Sequence, residues 1–240
     1  MNQNQLIKPL SEIASSAGEA ILDIYNSNFQ VTTKNDQSPL TQADLSSHHI
    51  IVDGLKNITP NIPIISEENP LQSFDERKKW QEYWIIDPLD GTKEFVKKNG
   101  EFTVNIALIR NHKAVLGIVH VPVTQKTYIG CEGEGAQMFS PTQKPKQISV
   151  SNKINQALRI VGSRSHRDES LDKFLAQIDK FEIKPVGSSL KFCLIAEGTA
   201  DIYPRFGPTS EWDIAAGNAV LVGSGGSVSL LDSGRPLPYN

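Results

Sequence analysis

Carboxylate side chains stand at the ends of apolar runs at separate places in the sequence. Asp87 and Asp90 follow one such run, within the motif Asp-Pro-Leu-Asp-Gly-Thr. Glu67 and Glu68 follow a shorter upstream run, and Asp213 opens a downstream stretch of small and apolar residues. The proline after Asp87 fixes φ and removes a backbone donor, so the chain turns where the acids begin. Buried elements that end in acids favour one shared site over separately solvated charges.

The chemistry of such a site follows from the electrostatic repulsion between its carboxylates. Two carboxylates about 4 Å apart repel each other by about 4 kcal/mol at an effective dielectric constant of 20. Several such pairs exceed what a marginally stable domain tolerates unless protons or cations neutralise them. Oxygen ligands select hard cations, and Mg²⁺ keeps part of its shell for water and substrate phosphate. The acids therefore predict Mg²⁺ and a phosphate ester, although any one of them alone is equally well explained as a helix or turn cap.

Residues beside the acids supply candidates for handling phosphate and water. A helix that begins after Asp90 would direct the amides of Gly91 and Thr92 outward, and such a helix end binds phosphate. The Thr92 hydroxyl could also hold a water molecule, and Asp44 is the candidate to take the proton of that water. Asp44 opens a predicted helix, so a plain helix cap remains an equal alternative for it.

The elements that must position these residues can be read from apolar spacing and turn residues. Helices are predicted at 6–24, 44–58, 169–179, 189–197 and 212–222. Strands are predicted at 30–33, 62–65, 83–86, 103–109, 114–121, 127–130, 159–161, 182–186, 200–203 and 227–230. The polar segment 34–41 is predicted to be a loop. A Pro- and Lys-rich segment at 140–149 is predicted to separate an α+β domain, 1–145, from an α/β domain, 146–240.

Composition narrows the range of partners. The 240 residues carry 24 basic and 27 acidic side chains, a net charge of −3, which gives no basic field for nucleic acid or anionic lipid. We expect neither a secretory signal nor a membrane span, because no basic region followed by an apolar core stands at the start and no apolar run is long enough to cross a bilayer. Cys131 and Cys193 are expected to be reduced thiols, and we expect a cytoplasmic protein.

The adjacent His48 and His49 point about 100° apart on a helix, so they are expected to be exposed or capping rather than to share a zinc ion.

At the three acidic segments the sequence resembles the Mg²⁺-dependent, lithium-sensitive phosphatases that include inositol monophosphatase and fructose-1,6-bisphosphatase. Three separated motifs in the same order are far more specific than any one of them, and the resemblance extends over nearly the whole chain. It implies a layered αβαβα sandwich that binds two or three Mg²⁺ ions and is inhibited by Li⁺. Within this superfamily the chain is similar to the bacterial 3′(2′),5′-bisphosphate nucleotidases of sulfur assimilation, on the segments 93–95, 100–105, 163–166, 187–191 and 203–207.

The resemblance also implies roles for individual residues. The metal ligands would be Glu67, Asp87, Leu89 through its carbonyl, Asp90 and Asp213. Asp87 would bridge two ions, with Glu67 on one side and Asp90 and Asp213 on the other. The catalytic group would comprise Asp44, Thr92 and Glu68. Substrate would be bound by Glu67, Leu89, Asp90, Gly91, Thr92, His166, Ser188, Lys191, Arg205 and Asp213.

The implied reaction is hydrolysis of 3′-phosphoadenosine 5′-phosphate to AMP and phosphate, by a monomer or dimer. Peripheral attachment to the inner membrane is a further possibility that the family raises, but no basic amphipathic helix supports it. Two rival functions remain open. One is an inositol or sugar phosphatase with the same metal centre, and the other is a non-catalytic nucleotide or Mg²⁺ sensor. The presence of both Asp44 and Thr92 favours catalysis over sensing.

Overall fold

The computed structural model describes residues 3–33, 39–153, 157–164 and 169–240. The helices in this part of the chain are α1 (Gln3–Tyr25), α2 (Gln42–Ile58), α3 (Phe74–Arg77), α4 (Thr92–Val96), α5 (Glu169–Leu175), α6 (Leu190–Ala196) and α7 (Glu211–Gly223). The strands are β1 (Val31–Thr33), β2 (Pro39–Thr41), β3 (Ile64–Ser66), β4 (Glu82–Asp90), β5 (Thr103–Arg110), β6 (Lys113–Val121), β7 (Lys126–Cys131), β8 (Gly135–Ser140), β9 (Gln143–Ile148), β10 (Leu158–Ser163) and β11 (Phe181–Val186).

One large sheet contains strands β3 to β9 in chain order. β4 runs parallel to β3, and every later neighbour pairs antiparallel. Strand β4 is apolar on both faces because helices cover both of them. Tyr83 and Ile85 pack into the core on one side, whereas Trp84 and Ile86 pack into the core on the other. This double burial accounts for the unbroken apolar run before Asp87.

The elements stack in five layers. Helices α1 and α2 cover one face of the large sheet, and α6 and α7 cover the other. Strands β10 and β11 pair in parallel and contribute Val161 and Val186 to the core that they share with α6 and α7. Helix α5 packs Leu171 and Leu175 against Ile160 on the outside of this small sheet. The predicted αβαβα sandwich is confirmed.

Helix α7 lies unusually close to the large sheet because two glycines face it. Gly117 on β6 pairs with Gly130 on β7. A Cβ atom at Gly117 would lie 2.4 Å from the Ala216 carbonyl oxygen, and one at Gly130 would lie 2.2 Å from the Ala219 carbonyl oxygen. The helix backbone therefore rests in a shallow groove that side chains would fill. This contact fixes the depth at which α7 presents Asp213.

Several sequence predictions need correction. The end of the predicted loop 34–41 forms strand β2, which pairs with β1, while residues 34–38 lie outside the described part. The segments 200–203 and 227–230 are not strands, since Ile202 and Ser229 form only isolated bridges, to Ile160 and Pro236. Their apolar residues pack against neighbouring layers without a continuous partner strand.

Within the Pro- and Lys-rich segment 140–149, strand β9 extends the large sheet beside β8. Residues on both sides of it, such as Tyr83 and Val220, belong to one hydrophobic core. The division into domains at 1–145 and 146–240 stays a prediction. None of the helices described combines the length with the apolar character that a bilayer span requires.

Candidate metal centre

Three carboxylates meet at the end of strand β4. Asp87, Asp90 and Asp213 each offer an oxygen atom, and these atoms lie within 4.8 Å of one another. Asp87 is buried, and the other two acids are half-buried. The ladder between β4 and β5 is interrupted between Asp87 and Asp90, where Pro88 lacks an N–H group. The Leu89 N–H donates to Asp87 Oδ1 over 3.1 Å, which is an Asx turn that aims both acids into one space.

Asp213 reaches the same space from the first turn of α7. Its Oδ2 accepts hydrogen bonds of 2.9 Å from the Ser210 N–H and from the Thr209 hydroxyl. Ser210 and Asp213 together form a capping box. One carboxylate oxygen is thus used to begin the helix. The cap alternative is confirmed for Asp213, whereas its role as a metal ligand stays a prediction.

The electrostatics of the cluster call for a cation. Burial raises the pKa of Asp87 well above its usual value, and the charges of Glu67, Asp90 and Asp213 raise it further. Burial and then the charge of Asp213 raise the pKa of Asp90 to about 6, although Lys191 opposes this shift. The carboxylates raise one another's pKa values because their negative charges repel. A hard divalent ion bound among them would offset both this repulsion and the cost of burying the charges.

Asp90 is held by groups that the sequence prediction missed. The Ser189 N–H and hydroxyl donate to its Oδ2 over 2.7 and 2.9 Å. The Asn105 side-chain amide donates to the same oxygen over 3.2 Å and to Ser189 Oγ over 2.9 Å. The segments that contain Ser189 and Asn105 were noticed in the sequence for their family resemblance. Nothing in the spacing of these residues indicated that they would bond to Asp90, because they come from different layers.

Glu67 and Glu68 follow strand β3, which lies beside β4. The Glu67 N–H donates to the Ile86 carbonyl over 3.3 Å, and the Glu67 side chain raises the pKa of Asp87 through its charge and a hydrogen bond. The Glu68 N–H donates to Ser66 Oγ over 3.3 Å. Glu67 thus lies beside Asp87, whereas its role as a metal ligand and the catalytic role of Glu68 stay predictions.

His48 corrects an expectation from the sequence. It is buried rather than exposed, and its Nδ1 lies 2.8 Å from Ser66 Oγ. His49 is exposed, as the helix geometry predicts. The first of the two histidines therefore supports the turn after β3, and a zinc site shared by both is excluded by their opposite environments.

Asp44 and Thr92 form the pair that the sequence proposed. The Thr92 hydroxyl donates to Asp44 Oδ1 over 3.1 Å and also lies 3.3 Å from the Leu89 carbonyl oxygen. Asp44 Oδ2 accepts from the Thr41 N–H and hydroxyl, each over 2.7 Å. Asp44 is therefore a helix cap through one oxygen and the partner of Thr92 through the other. The cap alternative is confirmed, whereas the catalytic role of Asp44 stays a prediction. Another contact that the sequence missed is the Ser47 hydroxyl, which donates to the Pro88 carbonyl over 2.7 Å and fixes the turn between the acids.

Gly91 is the N-cap of α4 and has a left-handed φ of 94°. A Cβ atom at this position would lie 3.1 Å from the Glu101 carbonyl oxygen and 3.3 Å from Ser188 Cβ. Glycine is required here by conformation and by space. The short helix predicted after Asp90 is present, and it begins at Thr92 beside the clustered acids.

A cavity of about 920 Å³ opens above the acids. Lys191 and Arg205 line it, as do Ser188 and the aromatic residues Tyr203 and Phe206. The Lys191 ammonium is buried, donates to the Ser188 carbonyl over 2.5 Å, and lies 5.1 Å from the centre of the Tyr203 ring. Burial lowers the pKa of Lys191.

The Arg205 guanidinium donates to the carbonyl groups of Gly207 and Pro208. Arg205 therefore braces its own loop while its side chain faces the cavity. Ser188 has a left-handed φ of 49° in the turn before α6 and is nearly buried. His166 lies outside the described residues. The contacts of Ser188, Lys191 and Arg205 with a substrate stay predictions.

Comparison with known proteins relates this arrangement to a family. The sequence pattern of the inositol monophosphatase family matches residues 2–240. The 3′(2′),5′-bisphosphate nucleotidase CysQ of Salmonella typhimurium is 46% identical over 225 residues, which is 93% of this chain and 89% of that protein. The protein of the same name from Escherichia coli K12 is 45% identical over 236 residues, 98% of this chain and 94% of that protein.

A solved structure agrees with these sequence relatives. The crystal structure of CysQ from Bacteroides thetaiotaomicron, described as a bacterial member of the inositol monophosphatase family, is 39% identical. It superposes with a TM-score of 0.84 and covers 97% of this chain and 91% of that one. The inositol monophosphatase from Anabaena superposes with a TM-score of 0.78 at 25% identity, over 99% of this chain and 88% of that one. The chain therefore belongs to the inositol monophosphatase family, as its three acidic segments predict.

Proposed function

We propose that this protein is an Mg²⁺-dependent phosphomonoester hydrolase that removes the 3′-phosphate of 3′-phosphoadenosine 5′-phosphate to give AMP and phosphate. The observation that carries the proposal is the meeting of Asp87, Asp90 and Asp213 beside the Asp44–Thr92 pair at the base of one cavity. The substrate is proposed from relatives at about 45% identity that are named 3′(2′),5′-bisphosphate nucleotidases. The same relatives suggest a place in sulfur assimilation, and we propose a cytoplasmic monomer or dimer.

The metal ions would be held by Glu67, Asp87, Asp90 and Asp213, together with the Leu89 carbonyl. Bound Mg²⁺ would lower the pKa of a water molecule and neutralise charge on the phosphoryl oxygens. The number of ions, two or three, and inhibition by Li⁺ belong to this proposal.

Water attack is assigned to Asp44 and Thr92. Because the Thr92 hydroxyl donates its proton to Asp44, a lone pair of the Thr92 oxygen remains to accept a proton from water. This contact orients a water oxygen toward phosphorus; as the water attacks, its proton passes to the Thr92 oxygen while the Thr92 hydroxyl proton passes to Asp44. The new bond joins the water oxygen to phosphorus, the bond between phosphorus and the 3′-oxygen breaks, and the leaving oxygen takes up a proton. Glu68, near Glu67, is proposed as an accessory acid in this group.

The substrate is held from two sides. The amides of Gly91 and Thr92 would donate to the scissile phosphate at the start of α4. The retained 5′-phosphate needs a cation, and Lys191 and Arg205, which both line the cavity, are the candidates to supply it. Arginine offers a bidentate fork, whereas the lysine ammonium acts as a compact charge. The remaining proposed contacts are those of His166 and Ser188.

The test is phosphate release from a panel of esters, with and without Mg²⁺ and with added Li⁺. We expect release from 3′-phosphoadenosine 5′-phosphate that requires Mg²⁺, is suppressed by Li⁺, and is faster than release from inositol 1-phosphate. The Asp90→Asn variant, which keeps the shape of the side chain, should remove nearly all turnover. Faster release from inositol 1-phosphate would favour the rival inositol phosphatase. Release that survives chelation of Mg²⁺ would contradict the metal assignment.

A further inference from the structure

Glu101 joins three segments that lie far apart in the sequence. Its two carboxylate oxygens accept hydrogen bonds of 2.7 and 2.6 Å from Arg164, which follows strand β10. Glu101 Oε2 also accepts a 2.8 Å bond from the Gly187 N–H, which follows strand β11. Arg164 donates in addition to the Pro185 carbonyl over 2.8 Å. The loop before β5 is thus tied to the ends of both strands of the small sheet.

The turn that Glu101 holds contacts both the acidic cluster and the cavity. Directly after Gly187, the Ser188 carbonyl accepts from the Lys191 ammonium, and Ser189 donates twice to Asp90 Oδ2. Ser188 has a φ of 49°, a left-handed conformation that is strained for a non-glycine residue and needs external support. One turn therefore sets the orientation of a candidate metal ligand and the position of a candidate phosphate-binding cation.

The space around Gly187 shows how tightly this turn is held. A Cβ atom at Gly187 would lie 2.6 Å from Glu94 Cγ and 2.7 Å from the Glu101 carbonyl oxygen. The side chains of Glu101 and Arg164 are 24% and 39% exposed, and pairs with this degree of exposure contribute little to stability. Loss of the Glu101–Arg164 pair is therefore expected to change the geometry of the turn at Gly187 more than the free energy of unfolding.

We propose that Glu101 is a positioning residue for the metal centre, and that Arg164 orients Glu101 so that it holds the turn at Gly187. Through this turn Glu101 keeps Ser189 against Asp90 and keeps Lys191 at the wall of the cavity. The kinetic test of this proposal rests on the proposed function, whereas the metal-binding test does not.

The experiment measures the Kd of Mg²⁺ by calorimetry without substrate, the Tm without metal, and KM and kcat for 3′-phosphoadenosine 5′-phosphate. The variants are Glu101→Ala, Glu101→Gln, which keeps an acceptor for the Gly187 N–H, and Arg164→Lys. Glu82→Ala is the matched control, because Glu82 pairs with Arg110 at the opposite end of the β4–β5 ladder with a similar exposure of about one third.

Glu101→Ala should weaken Mg²⁺ binding about tenfold or more, the usual effect of losing a group that orients a metal ligand, and should raise KM. Glu101→Gln and Arg164→Lys should recover part of the Mg²⁺ affinity. Glu82→Ala should change the Tm by a similar amount and leave the Kd unchanged.

The proposal is overturned if the Kd of Glu101→Ala is the same as that of Glu82→Ala. If Glu101→Ala does not fold, the Kd values of Glu101→Gln and Arg164→Lys decide in the same way. Failure of the unaltered protein to hydrolyse the nucleotide would instead contradict the proposed function.

Discussion

Thr92 Oγ1 lies 3.1 Å from Asp44 Oδ1, a contact between residues 48 positions apart in the chain. The two oxygens of the Asp44 carboxylate have different partners. Oδ1 accepts from Thr92 beside the clustered acids, whereas Oδ2 accepts from the backbone and hydroxyl of Thr41 and begins helix α2. The helix cap fixes the carboxylate in the orientation that the contact with Thr92 requires. The capping role and the proposed catalytic role of Asp44 can therefore be separated by mutation.

Asp44→Asn should lower kcat by about 100-fold or more, with little change in KM, since general-base assistance contributes about that much. In this variant the NH2 group of the asparagine faces Thr92 in place of the Asp44 Oδ1 acceptor. The Thr92 hydroxyl then accepts from that NH2 group instead of donating, so its lone pair is no longer available to water. Steady-state kinetics with 3′-phosphoadenosine 5′-phosphate measure the effect. Full kcat in a folded Asp44→Asn variant would reject the assigned role.

Thr41→Ala is the control for the capping function of Asp44. It removes the Thr41 hydroxyl, which donates to Asp44 and accepts from the Ala43 N–H, but leaves the bond from the Thr41 N–H. We expect a loss of about 1 kcal/mol in the free energy of unfolding, with kcat within severalfold of the unaltered protein. Denaturant unfolding and kinetics on the same preparation separate the two effects. A kcat as low as that of Asp44→Asn would show that capping alone accounts for the loss.

The stability of the metal-free protein should depend on pH through the acidic cluster. The pKa of Asp90 rises from 3.8 to about 6 in the folded state, chiefly by burial, and that of Asp87 is raised as well. A carboxyl group with a raised folded pKa contributes stability below its ordinary pKa, and this contribution is lost as the pH rises through the folded value. In chelator, the Tm should therefore fall as the pH rises from about 4 through 6. Added Mg²⁺ should oppose the fall.

Asp90→Asn provides the comparison for this pH dependence. The variant lacks the titrating group, so its Tm in chelator should fall less steeply over the same pH range. It should also gain less from Mg²⁺. Identical pH profiles for the two proteins would show that Asp90 does not carry the effect.

Gly130→Ala should displace helix α7 from the large sheet. The added methyl group would lie 2.2 Å from the Ala219 carbonyl oxygen, and such overpacking typically costs about 1–3 kcal/mol. Because α7 carries Asp213, Mg²⁺ affinity should fall together with stability. In Gly133→Ala the new methyl group meets no described atom within 4 Å, so only the left-handed φ of 80° is strained. That control should lose stability but keep its Mg²⁺ affinity, and equal Mg²⁺ affinities in both variants would contradict the argument.

Lys191→Met should raise KM for the bisphosphate more than it lowers kcat. The substitution keeps the length of the side chain but removes the charge proposed to bind the 5′-phosphate. A loss of about tenfold in kcat/KM corresponds to about 1.4 kcal/mol. Lys173→Met, on the exposed face of α5, is the matched control. An unchanged KM for Lys191→Met would remove this residue from the binding site.

The sequence predicted the acidic cluster because each acid lies at one end of an element whose apolar pattern is unmistakable. Burial on both faces produced the apolar run before Asp87, and the small residues of α7 reflect its close approach to Gly117 and Gly130. The alternation of strands and helices in the second half predicted an α/β region. These features are local, so a single sequence carries them.

Other features depend on tertiary contacts and left no local pattern. Strand β9 is exposed at five of its six residues, so its composition gave no apolar pattern from which a strand could be predicted. The partners of Asp90, which are Ser189 and Asn105, come from separate layers, and polar residues of these types are common in turns and strands alike. His48 is buried because Ser66 supplies a hydrogen bond from another element. Neither its helix position nor its neighbour His49 indicates this.

The central claim is that Asp87, Asp90 and Asp213 bind a divalent cation together. The direct measurement is the anomalous signal in a crystal soaked with Mn²⁺ as a substitute for Mg²⁺. We predict an anomalous peak among the three carboxylates, with an oxygen of each bonded to the metal. Clear side-chain density with the three carboxylates pointing apart, and no anomalous peak among them, would contradict the account.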